Sequence, residues 1–195
     1  MDEASDPADD GVTTGSQEQA SGVVLALGDL LLRPWRTTDA SALWRACQDP
    51  EIARWVSIPQ PFTRDDAGAQ IAEWQAMWRD SSGAAFAIVD AASGRLLGAV
   101  LRIGPDGHQA TLGCWVAADA RGRGIGTRVL RTVADWTFEM TEVVRVDAYI
   151  MAGNEVSQRM TERAGFQREG LLRAWDLLRG VPVDCVVYSR LRDDE

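Results

Sequence analysis

The chain has 195 residues, of which 46% are hydrophobic and 25% are charged. This balance is typical of a soluble globular protein with one domain or two small ones. All 20 basic residues are arginines, which excludes reactions that need a lysine side chain, such as Schiff-base chemistry or phosphate binding by a Walker P-loop. One histidine and three separated cysteines do not supply the four clustered ligands of a typical zinc site, so we expect no metal.

The net charge of -9 is concentrated near the N-terminus, where the first 30 residues hold seven acids and no base. An acidic chain without a basic block is not expected to bind nucleic acid. The N-terminus does not resemble a signal peptide, and no apolar run approaches the ~20 residues that cross a bilayer. Together with the separated cysteines, these features predict a cytoplasmic protein with no membrane partner.

The chain is predicted to divide into a tail and one domain. Residues 1–22 are rich in Asp, Ser, Gly and Gln and contain few large apolar side chains. Such a segment cannot bury enough surface to offset its ordering entropy, so we expect a disordered acidic tail. Residues 23–195 are expected to form the folded domain.

Apolar periodicity and turn residues predict a mixed α/β order from residue 23 onwards. A strand or short hairpin over 23–35 is followed by a helix that starts at Thr38-Asp39 and ends at Asp49-Pro50, and then by a helix over 63–80. The remaining predicted elements are a meander of strands at 84–90, 96–103 and 109–116, a helix at 124–138, a strand at 143–151, a helix at 155–164 and two strands at 167–178 and 183–191.

The strongest local signal is a glycine-rich turn between a predicted strand and a predicted helix. It reads Arg121-Gly122-Arg123-Gly124-Ile125-Gly126-Thr127. Glycines allow close approach of the backbone to a ligand, and the helix N-terminus adds the positive end of its dipole. With two arginines, the turn has the features of a pyrophosphate site. Taken alone, a tight structural turn is an equally good interpretation.

A second segment decides between these two interpretations. Asn154 and Ser157 open a predicted helix, and Gly165 and Phe166 follow it. The glycine-rich turn resembles the R/Q-x-x-G-x-G/A motif of the GCN5-related N-acetyltransferase (GNAT) superfamily. The second segment resembles the N-x-x-S…G-F pattern of its RimJ/RimL-like branch, the ribosomal-protein alanine and serine N-acetyltransferases. The resemblance extends over roughly residues 25 to 191.

The resemblance implies a fold and a cosubstrate. The GNAT fold has a central, mostly antiparallel twisted sheet of about seven strands, with a splay between the fourth and fifth strands, flanked by about four helices. The cosubstrate is acetyl coenzyme A (acetyl-CoA), whose pyrophosphate would bind backbone N–H groups from Arg121 to Thr127. Its pantetheine arm would pair with the strand at Trp115 and Val116. A bulky side chain at Gly124 or Gly126 is expected to enter the pyrophosphate path.

The resemblance also implies a proton donor for the leaving thiolate. In the family the helix that begins after Asn154 runs beside the thiol of coenzyme A. Many relatives carry a tyrosine where this chain has Thr161, so Ser157 is the expected donor. The alternative is that Ser157 only caps its own helix. Asn154 is expected to cap the helix and to bind the pantetheine arm.

The base that deprotonates the amine is predicted by analogy with the ribosomal-protein branch. Asp176 lies on the strand after Gly165-Phe166, where relatives place an acidic residue. The alternative is a surface carboxylate paired with a neighbouring arginine. Relatives often carry a glutamate where this chain has Thr111, which cannot be a base. Trp55, expected in a loop, is a candidate wall of the acceptor pocket.

The implied function is transfer of an acetyl group from acetyl-CoA to a primary amine by direct attack in a ternary complex. The acceptor is either a protein N-terminus or a small molecule. The alternative is a non-catalytic sensor that binds acyl-CoA without turnover. We expect a monomer or a homodimer.

Overall fold

The computed structural model describes residues 23–194, so the predicted tail over 1–22 lies outside the described residues. The described part of the chain contains one sheet of eight strands and five α-helices. The strands are β1 (Leu25–Leu27), β2 (Leu30–Pro34), β3 (Gly83–Asp90), β4 (Leu96–Asp106), β5 (Gln109–Val116), β6 (Arg145–Met151), β7 (Gln167–Leu178) and β8 (Val181–Leu191). The helices are α1 (Ala40–Ala46), α2 (Pro50–Trp55), α3 (Arg64–Arg79), α4 (Ile125–Met140) and α5 (Glu155–Arg163).

The strand order is β1-β2-β3-β4-β5-β6-β8-β7. Every neighbouring pair is antiparallel except β5 and β6, which run parallel. The connection from β5 to β6 passes through α4, because two parallel strands need a crossover between them. A crossover helix packs on one face of the sheet.

Helices cover both faces of the sheet. Side chains alternate between these two faces along each strand, so each strand contributes to two cores. On β3, Phe86 and Ile88 belong to the core beneath α4 and α5, whereas Ala87 and Val89 belong to the core beneath α1, α2 and α3. Both cores are fully buried at these positions. We call the face beneath α1, α2 and α3 the acceptor face.

The sequence predicts one helix before Thr63, whereas the structure has two, α1 and α2. The pair Asp49-Pro50 is expected to end a helix, but it starts α2: the Asp49 side chain accepts a hydrogen bond from the N–H of Glu51, and Pro50 occupies the first turn. Proline is tolerated there because its missing N–H would have no partner in the helix. The first predicted strand region folds as the hairpin β1–β2, which makes the sheet eight strands.

Candidate active site

β5 and β6 separate at one end. They are paired at Gln109–Arg145, Ala110–Val146 and Thr111–Asp147, and no further. β5 nevertheless continues to Val116 against β4, and β6 continues to Met151 against β8. One edge of the backbone at residues 112–116 therefore faces a gap. Its N–H and C=O groups can form hydrogen bonds with a ligand there. This is the splay that the family resemblance implies.

The glycine-rich turn follows β5 and leads into α4 at the mouth of the splay. Gly122 has φ 76° and Gly124 has φ 69°, a left-handed region that side-chain-bearing residues rarely adopt. Gly124 is the N-cap residue and has no side chain to bind the first N–H groups of α4. These donors, with the positive end of the helix dipole, are suited to an anion.

The arginines near this turn have carboxylate partners. Arg121 pairs with Asp49, the residue that caps α2, and its Nε donates to the carbonyl of Val116 at 3.1 Å. Arg123 lies 3.7 Å from Asp29, which also pairs with Arg128 at 2.7 Å. Hydrogen bonding to Arg128 lowers the pKa of Asp29, so this carboxylate is charged at neutral pH. The net positive charge around the glycine-rich turn is therefore smaller than the number of arginines in its sequence indicates.

Gly126 lies at a contact between two helices. It is buried where α4 meets α5, and a Cβ atom added there would collide with Sδ of Met160. A side chain at 126 would therefore have to displace the side chain of Met160. A Cβ added at Gly124 meets no atom within 4 Å, so there the expected path stays open.

The second motif is arranged around the start of α5. Oδ1 of Asn154 accepts a hydrogen bond from the N–H of Ser157 at 3.1 Å, so Asn154 caps the helix. The hydroxyl of Ser157, which is half-buried, is therefore not the cap. One turn further, Thr161 is fully buried and its Oγ1 has no hydrogen-bond partner among the described residues.

Helix α2 crosses the mouth of the splay. Besides the Asp49–Arg121 pair, the carbonyl of Ala53 accepts a hydrogen bond from Arg179 at 2.6 Å. The ring of Trp55 lies over Gly153 in the loop between β6 and α5. The expectation that Trp55 lies in a loop is wrong, since it is the last residue of α2. Its place beside the β6–α5 loop still agrees with an acceptor-pocket wall.

A cavity of about 540 Å³ lies beside α2, on the side of the β7–β8 turn. It is open to solvent and leads towards the acceptor face. Its lining residues come from the connection between α1 and α2, from α2, from the loop before α3 and from the turn after β7: Cys47, Gln48, Pro50, Ala53, Arg54, Gln60, Pro61, Phe62 and Arg179.

Asp176 lies on the acceptor face near the open end of the splay. It pairs with Val183 on β8. Two residues further along β8, Cys185 pairs with Met151 at the end of β6. The side chain is exposed, and its Oδ1 accepts a hydrogen bond from the N–H of Leu177 at 2.7 Å. The expected alternative, an ion pair with Arg173 or Arg179, is not formed among the described residues.

The segment before Asp176 is irregular in a way that aims side chains at the splay. The pairing of β7 with β8 shifts between Leu172 and Asp176, and Ala174 has φ 49°. The N–H of Ala174 donates to Oδ1 of Asp184 at 2.8 Å, which holds this conformation. The ring of Trp175 then stacks on Tyr149 of β6, with 5.1 Å between ring centroids. Bulges often redirect side chains beside active sites.

The thiol nearest to the splay is not a nucleophile. Cys114 lies on β5, and burial raises the pKa of its thiol to about 12. A cysteine reacts as the thiolate, and at neutral pH this group is protonated. The geometry therefore favours direct transfer between two bound substrates over an acetyl-cysteine intermediate.

The comparisons with known proteins identify the family. The acetyltransferase (GNAT) domain matches residues 29–167, more than half of the chain. YdaF of Bacillus subtilis, whose name puts it forward as a ribosomal N-acetyltransferase, is 32% identical over 145 residues, which cover 72% of this chain and 78% of YdaF. The chain belongs to the GNAT family.

Other relatives of this GNAT protein are similar in sequence or in fold. The N-acetyltransferase YoaA of Bacillus subtilis is 24% identical over 88% of this chain and 98% of its own. RimL, a ribosomal L7/L12 α-N-protein acetyltransferase solved with coenzyme A, has a TM-score of 0.79 at 17% identity, covering 89% of this chain and 100% of RimL. MccE, a microcin C7 self-immunity acetyltransferase solved with acetyl-CoA and AMP, has a TM-score of 0.78 at 19% identity over 85% and 93%.

The enzyme is thus an N-acetyltransferase that uses acetyl-CoA, and none of these relatives supports the sensor alternative. None of the helices within residues 23–194 has the length and apolar character needed to cross a membrane.

Proposed function

We propose that this enzyme acetylates the α-amine of a protein N-terminus, by direct attack on acetyl-CoA in a ternary complex. YdaF, by its name, and RimL, by its fold and bound coenzyme A, support an acceptor of the ribosomal-protein class. A small amine is the second candidate, favoured by MccE, whose structure holds AMP beside acetyl-CoA. The reaction takes place in the cytoplasm, in keeping with three free cysteines.

The separation of β5 from β6 is the observation that carries the proposal. The pantetheine arm pairs with the free edge of β5 at Trp115 and Val116, as an additional strand. The pyrophosphate binds at the start of α4, on backbone donors of the turn Arg121–Thr127. An N–H at the splay polarises the thioester carbonyl and stabilises the oxyanion that forms on attack.

Ser157 donates a proton to the thiolate that leaves coenzyme A. A simple thiol has a pKa near ~8.5, so a nearby donor lowers the barrier to C–S cleavage at neutral pH. Two features support this role: Asn154 already caps α5, and Thr161 stands in the place of a tyrosine acid.

Asp176 attracts the cationic amine and accepts a proton from it at the mouth of the splay. An α-amine has a pKa near ~8 and is mostly protonated at neutral pH, so it must lose a proton before it attacks. The position of Asp176 on the acceptor face, exposed and without an arginine partner within the described residues, supports this role.

Hydrogen–deuterium exchange with two related ligands tests the cosubstrate path. Acetyl-CoA is expected to slow exchange in residues 112–117 and in residues 122–128. A ligand that has only the nucleotide end, 3′-phosphoadenosine diphosphate, is expected to protect 122–128 alone, because it has no arm to pair with β5. Protection by acetyl-CoA that leaves 112–117 unchanged would contradict the proposed path.

A further inference from the structure

A buried carboxylate stands at the vertex of the splay. Asp147 of β6 is paired with Thr111 of β5, and this is the last pair before the two strands separate. Its neighbours Val146 and Ala148 belong to the core beneath α4 and α5. Because side chains alternate along a strand, Asp147 lies on the opposite, acceptor face, together with Thr111.

Asp147 is 3% exposed, which is unusual for a carboxylate that does not bind a metal. Nη2 of Arg145 lies 2.7 Å from Oδ1 of Asp147. This arginine is committed elsewhere, since its two terminal nitrogens bind both oxygens of Glu169 at 2.8 and 2.7 Å. Oδ1 of Asp147 is left with a charge contact and no hydrogen bond of good geometry among the described residues.

The remaining groups around Asp147 do not satisfy this oxygen. β5 contributes Thr111, and β8 contributes Ser189, whose hydroxyl donates to Glu169 at 2.5 Å. Tyr149 lies two residues along β6, and its pKa is raised by burial and further by the charge of Asp147. The charged and titratable groups that face Asp147 are therefore Arg145, Tyr149 and Glu169. A buried carboxylate oxygen whose contact with Arg145 is shared with Glu169 is incompletely hydrogen-bonded, which is costly unless it serves a purpose.

The chemistry of acetyl transfer offers such a purpose. A protonated amine loses one proton to become a nucleophile. Its nitrogen then bonds to the acetyl carbon, the C–S bond breaks and the thiolate takes a proton from the acid. The nitrogen, cationic after attack, must lose a second proton to give the neutral amide. The exposed carboxylate of Asp176 accounts for only one of these two losses, and the acid that protonated the thiolate must regain a proton before the next cycle.

We propose that Asp147 accepts this second proton, directly or through one water molecule, at the vertex of the splay. The inference rests on the proposed function, and it assigns the first proton to Asp176 at the mouth and the second to Asp147 within the sheet. Nη2 of Arg145 lies 2.7 Å from the carboxylate of Asp147 and 2.7 Å from that of Glu169. Asp147 then releases this proton to solvent as the products dissociate, and Ser157, left as an alkoxide when it protonated the thiolate, regains a proton from solvent.

The test compares Asp147→Asn with the wild type and with Glu169→Gln, a matched control. Both substitutions remove one carboxylate from Arg145, but only the first removes the carboxylate at the vertex. Turnover of the best acceptor from a panel of N-terminal peptides and small amines is measured from pH 6 to 9.5. We expect Asp147→Asn to lose ~10²–10⁴ in kcat at neutral pH and to recover partly at high pH, where hydroxide accepts the proton. Glu169→Gln should keep the wild-type profile.

Two further measurements separate this role from a structural one. Asp147→Asn should bind acetyl-CoA with the wild-type Kd, and Asp147→Glu, which retains a carboxylate, should recover part of the rate. A parallel profile for Asp147→Asn and wild type, or an equal loss in Glu169→Gln, overturns the inference and leaves the proposed function intact. No transfer by the wild type to any amine overturns both.

Discussion

Ser157 lies in the first turn of α5, where two interpretations of a serine compete. The structure assigns the cap to Asn154, whose Oδ1 accepts from the N–H of residue 157. The hydroxyl of Ser157 is thus available for chemistry at the thiol. The proposed proton donation by Ser157 acts on the transition state, so its loss should appear in turnover and not in binding.

Ser157→Ala is expected to lower kcat by ~10²–10⁴ while changing the Kd for acetyl-CoA by less than about twofold. Steady-state kinetics and calorimetry on the same preparation give both quantities. Ser41→Ala, a serine on α1 away from the splay, is the control and should retain wild-type turnover. Equal losses in kcat and in affinity for Ser157→Ala would indicate a positioning role instead.

Asp176→Asn keeps the shape of the side chain and removes its charge. We expect turnover to fall at neutral pH and to recover partly at higher pH, where more of the amine is already neutral. The variant should remain folded and should bind acetyl-CoA normally, because Asp176 lies on the acceptor face. A pH–rate profile is the measurement.

Asp184→Asn is the matched control for Asp176→Asn, because Asp184 holds the same bulge through the N–H of Ala174. Its profile should keep the wild-type shape even if the overall rate falls. If the profile of Asp176→Asn agrees with the wild type within a factor of about two at every pH, Asp176 has no role in proton transfer.

At the scale of elements, the contact of α4 with α5 fixes the relative position of both halves of the site. The start of α4 is the proposed pyrophosphate site, and α5 carries Ser157. Gly126 allows the two helices to meet because Met160 occupies the space of a side chain. A change at this contact should therefore affect stability and both binding and turnover.

Gly126→Ala is expected to destabilise the fold by about 1–3 kcal/mol, since overpacking forces a neighbour to move. Met160→Ala in the same chain should recover much of this loss, because it empties the space that the new methyl group needs. Urea unfolding of the single and double variants measures the coupling. Additive effects of the two substitutions would contradict the packing account.

Most elements could be predicted from the sequence, because their boundaries carry strong signals. β5 and β7 have the predicted bounds 109–116 and 167–178. Gly107 lies in the turn before β5, and Gly165 and Gly180 lie in the turns on either side of β7. Helix α2 could not be predicted from Asp49-Pro50, since the same dipeptide can end one helix or begin the next. The packing of buried Ile52 against the core distinguishes the start of a helix from the end of one at this dipeptide.

The site was predictable only in part, for a similar reason. The glycine-rich turn and Asn154 have local signatures, and the structure brings both to the mouth of the splay. Asp147 has none: it lies within a run that predicts a buried strand, and its place at the vertex depends on the register of β6 with β5. Likewise, the partners of Arg121 and Arg123 are distant along the chain.

At the scale of the whole molecule, two helical layers hold the sheet in place while β5 and β6 separate between them. Acetyl-CoA and the amine can then approach the splay from different sides, the first past α4 and the second past α2. Burial raises the pKa of the Cys114 thiol, which agrees with the proposed direct reaction between the two substrates. We propose that this arrangement acetylates a primary amine, and a protein α-amine in particular.

Mass spectrometry of the acceptors after reaction with acetyl-CoA tests this claim most directly. The panel contains peptides with free and with blocked N-termini, together with small primary amines, and thiol release is followed in parallel. We expect one acetyl group on the α-amine of free peptides, in the same amount as the thiol released, and none on blocked ones. Thiol release without an acetylated amine, or acetylation of small amines alone, would contradict the account.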